Sequence, residues 1–434
     1  AAAMAVNAGC DLNCGAVFNF LTNAVEKGLI SEETIDKSMQ RLFEARIRLG
    51  MFDDPAKVPF NDIDPAIIDS PSHRALALEA ARRAMVLLKN DGMLPLSKDD
   101  KKVAVIGPNA DSHIVLLGNY NGTPSSDTTM LDGIQAHFSG ETVYAKGCEL
   151  TGQEREGFTE AMQIAKDADA VVLCLGLSPE LEGEEGDAFN ADAAGDRLSL
   201  TLPGVQEELL AALAETGTPL TVVLLSGSGT DLRQVDAKAN AVIQAWYPGQ
   251  DGGKALAEIL FGDFNPMGRL PITFVKSDAD LPDFENYDLK GRTYRYLETE
   301  PLYPFGYGLS YSTFEYADLV IAQGEEALSV SVTVANAGTM AGNEVVQVYF
   351  HHEHAPLPVP NFQLCGFKRI YLEEGETRQV TIHVPLEWLN LVNENGESVR
   401  EPGVFKLFVG GQQPDARSAQ LTGKTVLMKE ISLP

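Results

Sequence analysis

The fold class follows from the apolar run Ala170-Val171-Val172-Leu173-Cys174-Leu175-Gly176, which contains no charged residue. Continuous runs of this kind are typical of strands that are buried on both faces of a parallel sheet. Similar runs occur elsewhere in the chain, at residues 103–106, 114–117, 220–225 and 241–246. Helical patterns lie between several of them, at 156–167, 205–216 and 253–261. This alternation predicts an α/β sandwich domain with a mainly parallel sheet.

The pattern changes on either side of this region. From residue 314 onward, apolar and polar residues alternate and turn residues recur at short intervals, which predicts an antiparallel β-sandwich without helices. Upstream, Ser31 can cap a helix that extends over residues 31–50. A Pro- and Asp-rich linker follows, and a second helix is predicted over residues 73–89.

The composition excludes several classes of protein. Lys and Arg total 33 against 62 Asp and Glu, and the resulting charge of −29 opposes binding to nucleic acid or to an anionic membrane. The sequence has no run of about 18 apolar residues that would predict a membrane span. Five cysteines are too few for a disulfide scaffold. Cys10 and Cys14 are close enough for a bridge or a weak metal pair, whereas Cys174 is expected in the core.

An acidic loop follows the buried run directly. Between Glu180 and Asp187, five of eight residues are acidic. At the carboxyl end of a parallel strand, where sites usually form, neighbouring carboxylates raise one another's pKa and keep one of them protonated as a general acid. A solvated acidic loop is an equally good interpretation. A calcium-binding loop is a third, although the D-x-[DN]-x-[DN]-G spacing is not met.

Other polar stretches are weaker candidates. His351-His352-Glu353-His354 lacks helical ligand spacing, which favours an exposed loop over a metal site. Ser226-Gly227-Ser228-Gly229-Thr230 lacks the third glycine of a dinucleotide-binding loop, so it predicts a strand-to-loop turn. The aromatic stretches at 246–253 and 291–296 suit either sugar binding or packing between domains.

Several short motifs are spread along nearly the whole chain. They read Ala-Gly-Cys-Asp-Leu-Asn-Cys-Gly at 8–15, Arg-Ile-Arg-Leu-Gly-Met-Phe at 46–52, Ala-Met-Val-Leu-Leu-Lys-Asn at 84–90, Val-Ile-Gly-Pro-Asn-Ala at 105–110, Leu-Gly-Asn-Tyr-Asn-Gly at 117–122, Gly-Arg-Leu-Pro at 268–271 and Tyr-Pro-Phe-Gly-Tyr-Gly-Leu-Ser-Tyr at 303–311. In this order they resemble the C-terminal half of glycoside hydrolase family 3, the retaining β-glucosidases and β-xylosidases. The motifs at 8–15 and 117–122 are most similar to the β-xylosidase branch.

The resemblance implies three structural parts: a TIM-type barrel, an α/β sandwich and a fibronectin-III-like domain. Residues 1–52 are then a helical remnant of the (β/α)8 barrel, 53–72 a linker, 73–313 the α/β sandwich domain and 314–434 the fibronectin type III-like domain. The family's general acid/base lies in an E-x-E loop, which maps onto Glu182-Gly183-Glu184. We expect Glu184 in this role, with Glu185 and Glu182 as the alternatives. The nucleophilic Asp belongs to the rest of the barrel, so no residue is assigned to it.

The implied activity is that of an exo-acting β-xylosidase or β-glucosidase, which removes terminal sugars from β-linked oligosaccharides or aryl β-glycosides without a metal or organic cofactor. Because residues 1–6 read as the interior of a helix, we expect the barrel to be a second chain or a missing segment, and this chain alone to be inactive. A non-catalytic carbohydrate-binding or assembly module is the alternative. Glucose or xylose specificity, a homo-oligomeric state and a secreted, periplasmic or cytoplasmic location stay open.

Overall fold

The computed structural model describes residues 1–182 and 197–434. Within these ranges the chain divides into two compact units, Ala1–Ser70 and Pro71–Pro434. None of the helices in the described ranges is long and apolar enough to cross a membrane.

The N-terminal unit consists of short helices around a small apolar core. Its α-helices are α1 (Ala2–Asn7), α2 (Leu21–Glu26) and α3 (Glu32–Arg48), and 3₁₀ helices lie at Val17–Phe20, Pro55–Lys57 and Pro65–Ile67. The helix predicted over residues 31–50 is confirmed as α3. Ser31 caps it, because its Oγ accepts a hydrogen bond from Thr34 N at 3.3 Å. The core contains Ala3, Val6, Ala24 and Ile30.

The larger unit begins with an α/β domain built on a six-stranded sheet. The strands are β1 (Val86–Asn90), β2 (Lys102–Ile106), β3 (Glu141–Ala145), β4 (Ala170–Gly176), β5 (Leu220–Leu225) and β6 (Ala241–Gln244). The helices are α4 (Pro71–Ala84), α5 (Met130–His137), α6 (Phe158–Lys166), α7 (Gln206–Ala214), α8 (Arg233–Lys238), α9 (Gly252–Leu260) and α10 (Thr293–Tyr296), with 3₁₀ helices at Ile114–Leu116 and Asp278–Asp280. The strand order is β1-β6-β5-β4-β2-β3, and all pairs are parallel except β1 with β6. The predicted mainly parallel sheet is therefore confirmed.

Two apolar cores cover the two faces of this sheet. Because side chains alternate along a strand, Val172 and Cys174 of β4 pack on one face with α4, α5 and α9. Val171 and Leu173 pack on the other face with α6, α7 and α8. Cys174 is fully buried, which confirms the expected core thiol, and burial raises its pKa to about 12. In the N-terminal unit, by contrast, the cysteines of the 8–15 motif are free and exposed.

Some local predictions in the α/β domain are wrong. Residues 86–90 form the antiparallel strand β1 rather than the end of a helix, so α4 stops at Ala84. The apolar run at 114–117 contains a 3₁₀ helix in place of a strand. Both runs are short, and periodicity alone does not separate a strand from a helix in such runs.

From Phe314 onward the chain forms the predicted β-sandwich. Its strands are β7 (Phe314–Gln323), β8 (Ala327–Asn336), β9 (Gly342–Glu353), β10 (Gln363–Leu372), β11 (Thr377–Pro385), β12 (Leu391–Val392), β13 (Ser398–Val399), β14 (Gly403–Gly410) and β15 (Leu427–Leu433). One sheet has the order β10-β9-β14-β15 and the other β11-β8-β7, while β12 and β13 form a separate hairpin. Alternate residues of β8 are buried, as the period of two predicts. The expected absence of helices is wrong, since α11 (Ala416–Thr422) and a 3₁₀ helix at Leu386–Leu389 lie in this region.

The prediction of an exposed loop at the histidine cluster, residues 351–354, is wrong in part. His351 and His352 belong to β9 rather than to an exposed loop, whereas His354 lies in the exposed turn that follows β9, as predicted. His352 is 1% exposed and stacks on Phe405 with 4.2 Å between ring centroids. Across the described ranges, no group of three or more His, Cys, Asp or Glu side chains is placed to hold a metal ion.

Polar side chains join the α/β domain to the β-sandwich. Arg269 Nη2 lies 2.9 Å from Glu344 Oε2, and both side chains are almost completely buried. Gln347 of the sandwich donates from Nε2 to Gly306 O at 2.9 Å. Arg269 and Gly306 belong to the motifs at 268–271 and 303–311, so these motifs serve to fix the two domains together.

Candidate active site

The order in which the chain adds strands to the sheet reverses between β2 and β4. The chain passes from β2 outward to β3 and then returns to β4 on the other side of β2. In open α/β sheets, ligands bind in the crevice that forms at the carboxyl edge of such a switch point. Asn109, which follows β2, donates from Nδ2 to Leu177 O, which follows β4, at 3.0 Å. This hydrogen bond joins the two sides of the crevice.

The start of the acidic loop is held firmly by the end of β4. Gly176 has a φ of 138°, and a Cβ at this position would lie 2.0 Å from Leu225 O, so only glycine fits. The buried Gln206 of α7 accepts a hydrogen bond from Gly176 N at 2.9 Å and donates to Gly176 O at 3.0 Å. The loop therefore leaves the sheet in a fixed direction.

Loops from neighbouring strands converge on Glu182. Its carboxylate accepts hydrogen bonds from Gly227 N at 2.7 Å, from Ser228 Oγ and from the Tyr247 hydroxyl. Its main-chain oxygen accepts one from Asn119 Nδ2 at 2.8 Å. The partners follow β5, β6 and β2, while Glu182 itself follows β4. Four strand ends of the sheet thus meet at this one residue.

The proton arrangement around Glu182 can be assigned from its partners. Ser228 Oγ accepts a hydrogen bond from Arg197 Nη1 at 3.2 Å, so its own hydrogen is available to Glu182. Burial, followed by the charge of the neighbouring Glu182 carboxylate, raises the pKa of Tyr247 far above its usual value of 10.0. Tyr247 therefore stays a neutral donor. Since Gly227 N can only donate, Glu182 acts as an acceptor on both carboxylate oxygens.

A cavity of about 770 Å³ opens beside the Glu182 carboxylate. Its walls come from the loops after β4 and β5, from the segment 271–282 and from the segment around α10. A volume of this size suits a small ligand such as one or two sugar rings. A second cavity, of about 600 Å³, lies between the α10 segment and the β-sandwich.

The structure tests the predicted site residues only in part. Glu182 lies in the crevice, whereas Glu184 and Glu185 lie outside the described residues, so the acid/base assignment stays a prediction. Sequence patterns alone do not connect Ser228 or Tyr247 with Glu182. Their location at the site could nevertheless have been predicted, because Ser228 and Tyr247 each follow the carboxyl end of a strand that the apolar runs predict.

Comparisons with known proteins agree with this architecture. The model of the glycosyl hydrolase family 3 C-terminal domain matches residues 85–311, and that of the fibronectin type III-like domain matches residues 344–413. A xylan 1,4-β-xylosidase of Xylanibacter ruminicola is 31% identical over 96% of this chain and 66% of its own length. A β-xylosidase of Formosa agariphila is 37% identical over 94% of this chain and 58% of its own length. A periplasmic β-glucosidase of Salmonella typhimurium is 32% identical, with coverages of 94% and 58%.

Solved structures show the same similarity. A glycoside hydrolase family 3 exo-β-xylosidase in complex with a xylobiose aziridine probe has a TM-score of 0.87 and 32% identity, covering 99% of this chain and 57% of its own. A β-glucosidase from Erythrobacter marinus has a TM-score of 0.85 and 32% identity, with coverages of 100% and 60%. The chain thus spans about three fifths of the length of the proteins it matches.

Proposed function

This chain belongs to glycoside hydrolase family 3, and we propose that it supplies the acid/base carboxylate of a retaining, exo-acting β-glycosidase. The relatives carry the names β-xylosidase and β-glucosidase, so the proposed substrates are oligosaccharides or aryl glycosides with a terminal β-linked xylose or glucose. The proposed parts of the chain are a remnant of the barrel at 1–52, a linker at 53–72, the α/β sandwich domain at 73–313 and the fibronectin type III-like domain at 314–434.

The observation that carries this proposal is the convergence of four strand ends on Glu182. Both carboxylate oxygens of Glu182 are occupied as acceptors, which suits a residue that anchors the acidic loop. An acid/base must instead present a proton to the leaving oxygen and later recover it from water. We therefore assign the acid/base role to Glu184, two residues beyond the anchor, with Glu185 as the alternative and Glu182 as a positioning residue.

The second carboxylate of the reaction belongs to the N-terminal portion that the longer relatives have in addition. We propose that this portion completes a barrel with residues 1–52, as a second chain or as part of the same polypeptide. The N-terminal unit has large apolar side chains that favour such packing. Phe20, Leu49 and Phe60 are 66%, 69% and 77% exposed.

The reaction then follows from two carboxyl groups about 5–5.5 Å apart, as in other retaining glycosidases. An Asp of the barrel attacks the anomeric carbon while Glu184 protonates the leaving oxygen. Glu184 next removes a proton from the water that hydrolyses the glycosyl-enzyme intermediate. Two carboxyl groups suffice for these steps, so the proposal includes no metal or organic cofactor.

Reconstitution tests the proposal. We expect the 434-residue chain alone to hydrolyse neither aryl β-xyloside nor aryl β-glucoside. Co-expression with the N-terminal portion of one of the β-xylosidase relatives should restore turnover. Turnover by the chain alone would show that both carboxylates lie on it. A stable assembly that binds sugar without turnover would favour the non-catalytic carbohydrate-binding module.

A further inference from the structure

The two cavities of the larger unit share a wall. Thr273, Tyr294, Leu297 and Phe305 line both of them, so the two cavities adjoin one another between Glu182 and the β-sandwich, and together they are called the interdomain groove here. We propose that this interdomain groove binds the leaving-group end of a β-linked oligosaccharide, so that the fibronectin type III-like domain takes part in substrate binding. This inference rests on the proposed function but concerns residues that the proposed reaction does not use.

A rigid aromatic platform stands at the middle of the groove. Tyr294 stacks on Phe305 with 4.1 Å between ring centroids and 9° between ring planes. Tyr349 of β9 packs edge-on against Tyr294 at 6.3 Å, and the Tyr294 hydroxyl accepts a hydrogen bond from Leu364 N at 3.2 Å. The sandwich therefore fixes the orientation of the platform. Fixed aromatic faces suit the apolar faces of sugar rings.

Three residues along the groove contain a buried polar atom without a partner in the described part of the protein. Thr230 Oγ1, Thr273 Oγ1 and Gln413 Oε1 are buried and have no hydrogen-bond partner among the described residues. Thr230 and Gln413 are 1% and 6% exposed. Thr230 lines the cavity at Glu182, Thr273 the shared wall and Gln413 the end at the sandwich. Such atoms are costly to leave unpaired. Thr273 is partly exposed, so rotation of its side chain would present the hydroxyl group to a sugar hydroxyl in the groove.

The charges of the groove favour a neutral ligand. Lys406 Nζ pairs with Glu353 Oε2 at 2.5 Å, and Arg295 Nη2 donates to Gln363 Oε1 at 2.9 Å. Arg417 Nε donates to Leu302 O at 3.1 Å. These cations are engaged by the protein itself, and the net charge of −29 opposes an anionic chain. A neutral oligosaccharide fits these conditions.

Calorimetric titration of the intact 434-residue chain tests the inference, with β-1,4-xylotetraose, cellotetraose and xylose as probes. We expect saturable binding of at least one tetrasaccharide, and binding of xylose at least about tenfold weaker, because one ring covers only part of the groove. Tyr294→Ala should weaken tetrasaccharide binding about tenfold, whereas Tyr294→Phe keeps the platform and should bind as the wild type does. Thr273→Val should weaken it about threefold to tenfold. Tyr371→Ala, an exposed tyrosine of β10 outside the groove, is the matched control.

Lack of saturable binding of both tetrasaccharides would overturn the inference, as would unchanged affinity in both folded variants, Tyr294→Ala and Thr273→Val. These outcomes can be distinguished from a failure of the proposed function, because sugar binding by the chain alone does not require turnover. In the reconstituted glycosidase, Tyr294→Ala should raise KM for the tetrasaccharide about tenfold and leave KM for an aryl glycoside unchanged. An equal effect on both substrates would also overturn the role of the groove in binding the leaving group.

Discussion

Removal of Glu344 should weaken the contact between the α/β domain and the β-sandwich. Its carboxylate pairs with Arg269 at 2.9 Å and accepts a hydrogen bond from the Tyr316 hydroxyl at 2.6 Å. The side chains of Arg269 and Glu344 are only 10% and 4% exposed. In Glu344→Ala the guanidinium charge stays buried without its counter-charge. Loss of one partner of a buried pair costs about 3–5 kcal/mol, so we expect a decrease of this size in the free energy of unfolding.

Urea unfolding of the intact chain, followed by tryptophan fluorescence and circular dichroism, measures this loss. The double variant Arg269→Met/Glu344→Leu removes both charges and should be more stable than Glu344→Ala. Glu300→Ala, which breaks the exposed pair with Lys276, is the matched control and should leave the unfolding midpoint nearly unchanged. A loss below about 1 kcal/mol in Glu344→Ala, or a double variant less stable than it, would refute the reasoning.

Three further perturbations have defined outcomes. Tyr247→Phe removes one donor to the Glu182 carboxylate and should lower the free energy of unfolding by about 1.5 kcal/mol, measured by urea unfolding; an unchanged midpoint would contradict the anchor role. Gly176→Ala places a Cβ against a main-chain oxygen and should lower the free energy of unfolding by about 2–5 kcal/mol. Gly217 also has a positive φ, of 78°, but its Cβ would meet open space, so Gly217→Ala should cost less, about 1–2 kcal/mol. Equal melting temperatures of the two variants would contradict the close approach at β4. Burial lowers the pKa of His352 below its usual 6.5, so the folded state favours the neutral ring. The contribution of neutral His352 to stability is therefore full above about pH 6.5 and is lost as the pH falls below that value. His352→Phe should flatten this part of a curve of melting temperature against pH.

Much of the fold could be predicted because it depends on local patterns. The buried runs and the period of two report which faces of each strand are covered, and the parallel or antiparallel type of sheet in each domain follows from them. The strand Val86–Asn90 could not be identified, because its apolar residues directly continue the pattern of α4. The pairing of this strand with β6, which is distant in sequence, decides its conformation.

Less of the candidate site than of the fold could be predicted from the sequence. The acidic loop is visible as a charge cluster, but the partners of Glu182 come from loops that are distant in sequence. One of the donors is the main-chain N–H of Gly227, which no residue type reveals. Only the order of the strands brings these groups together, and that order is a tertiary property.

The assignment of Glu184 is the central claim, and the most direct test is the pH–rate profile of the reconstituted glycosidase with an aryl β-xyloside that has a poor leaving group. Glu184→Gln should lower kcat about 10²- to 10⁴-fold and abolish the alkaline limb of the profile, because that limb reports the acid/base. Glu182→Gln should lower kcat less and keep the limb. A Glu184→Gln enzyme with the wild-type rate and profile, and a loss of the limb in Glu185→Gln or Glu182→Gln instead, would contradict the assignment.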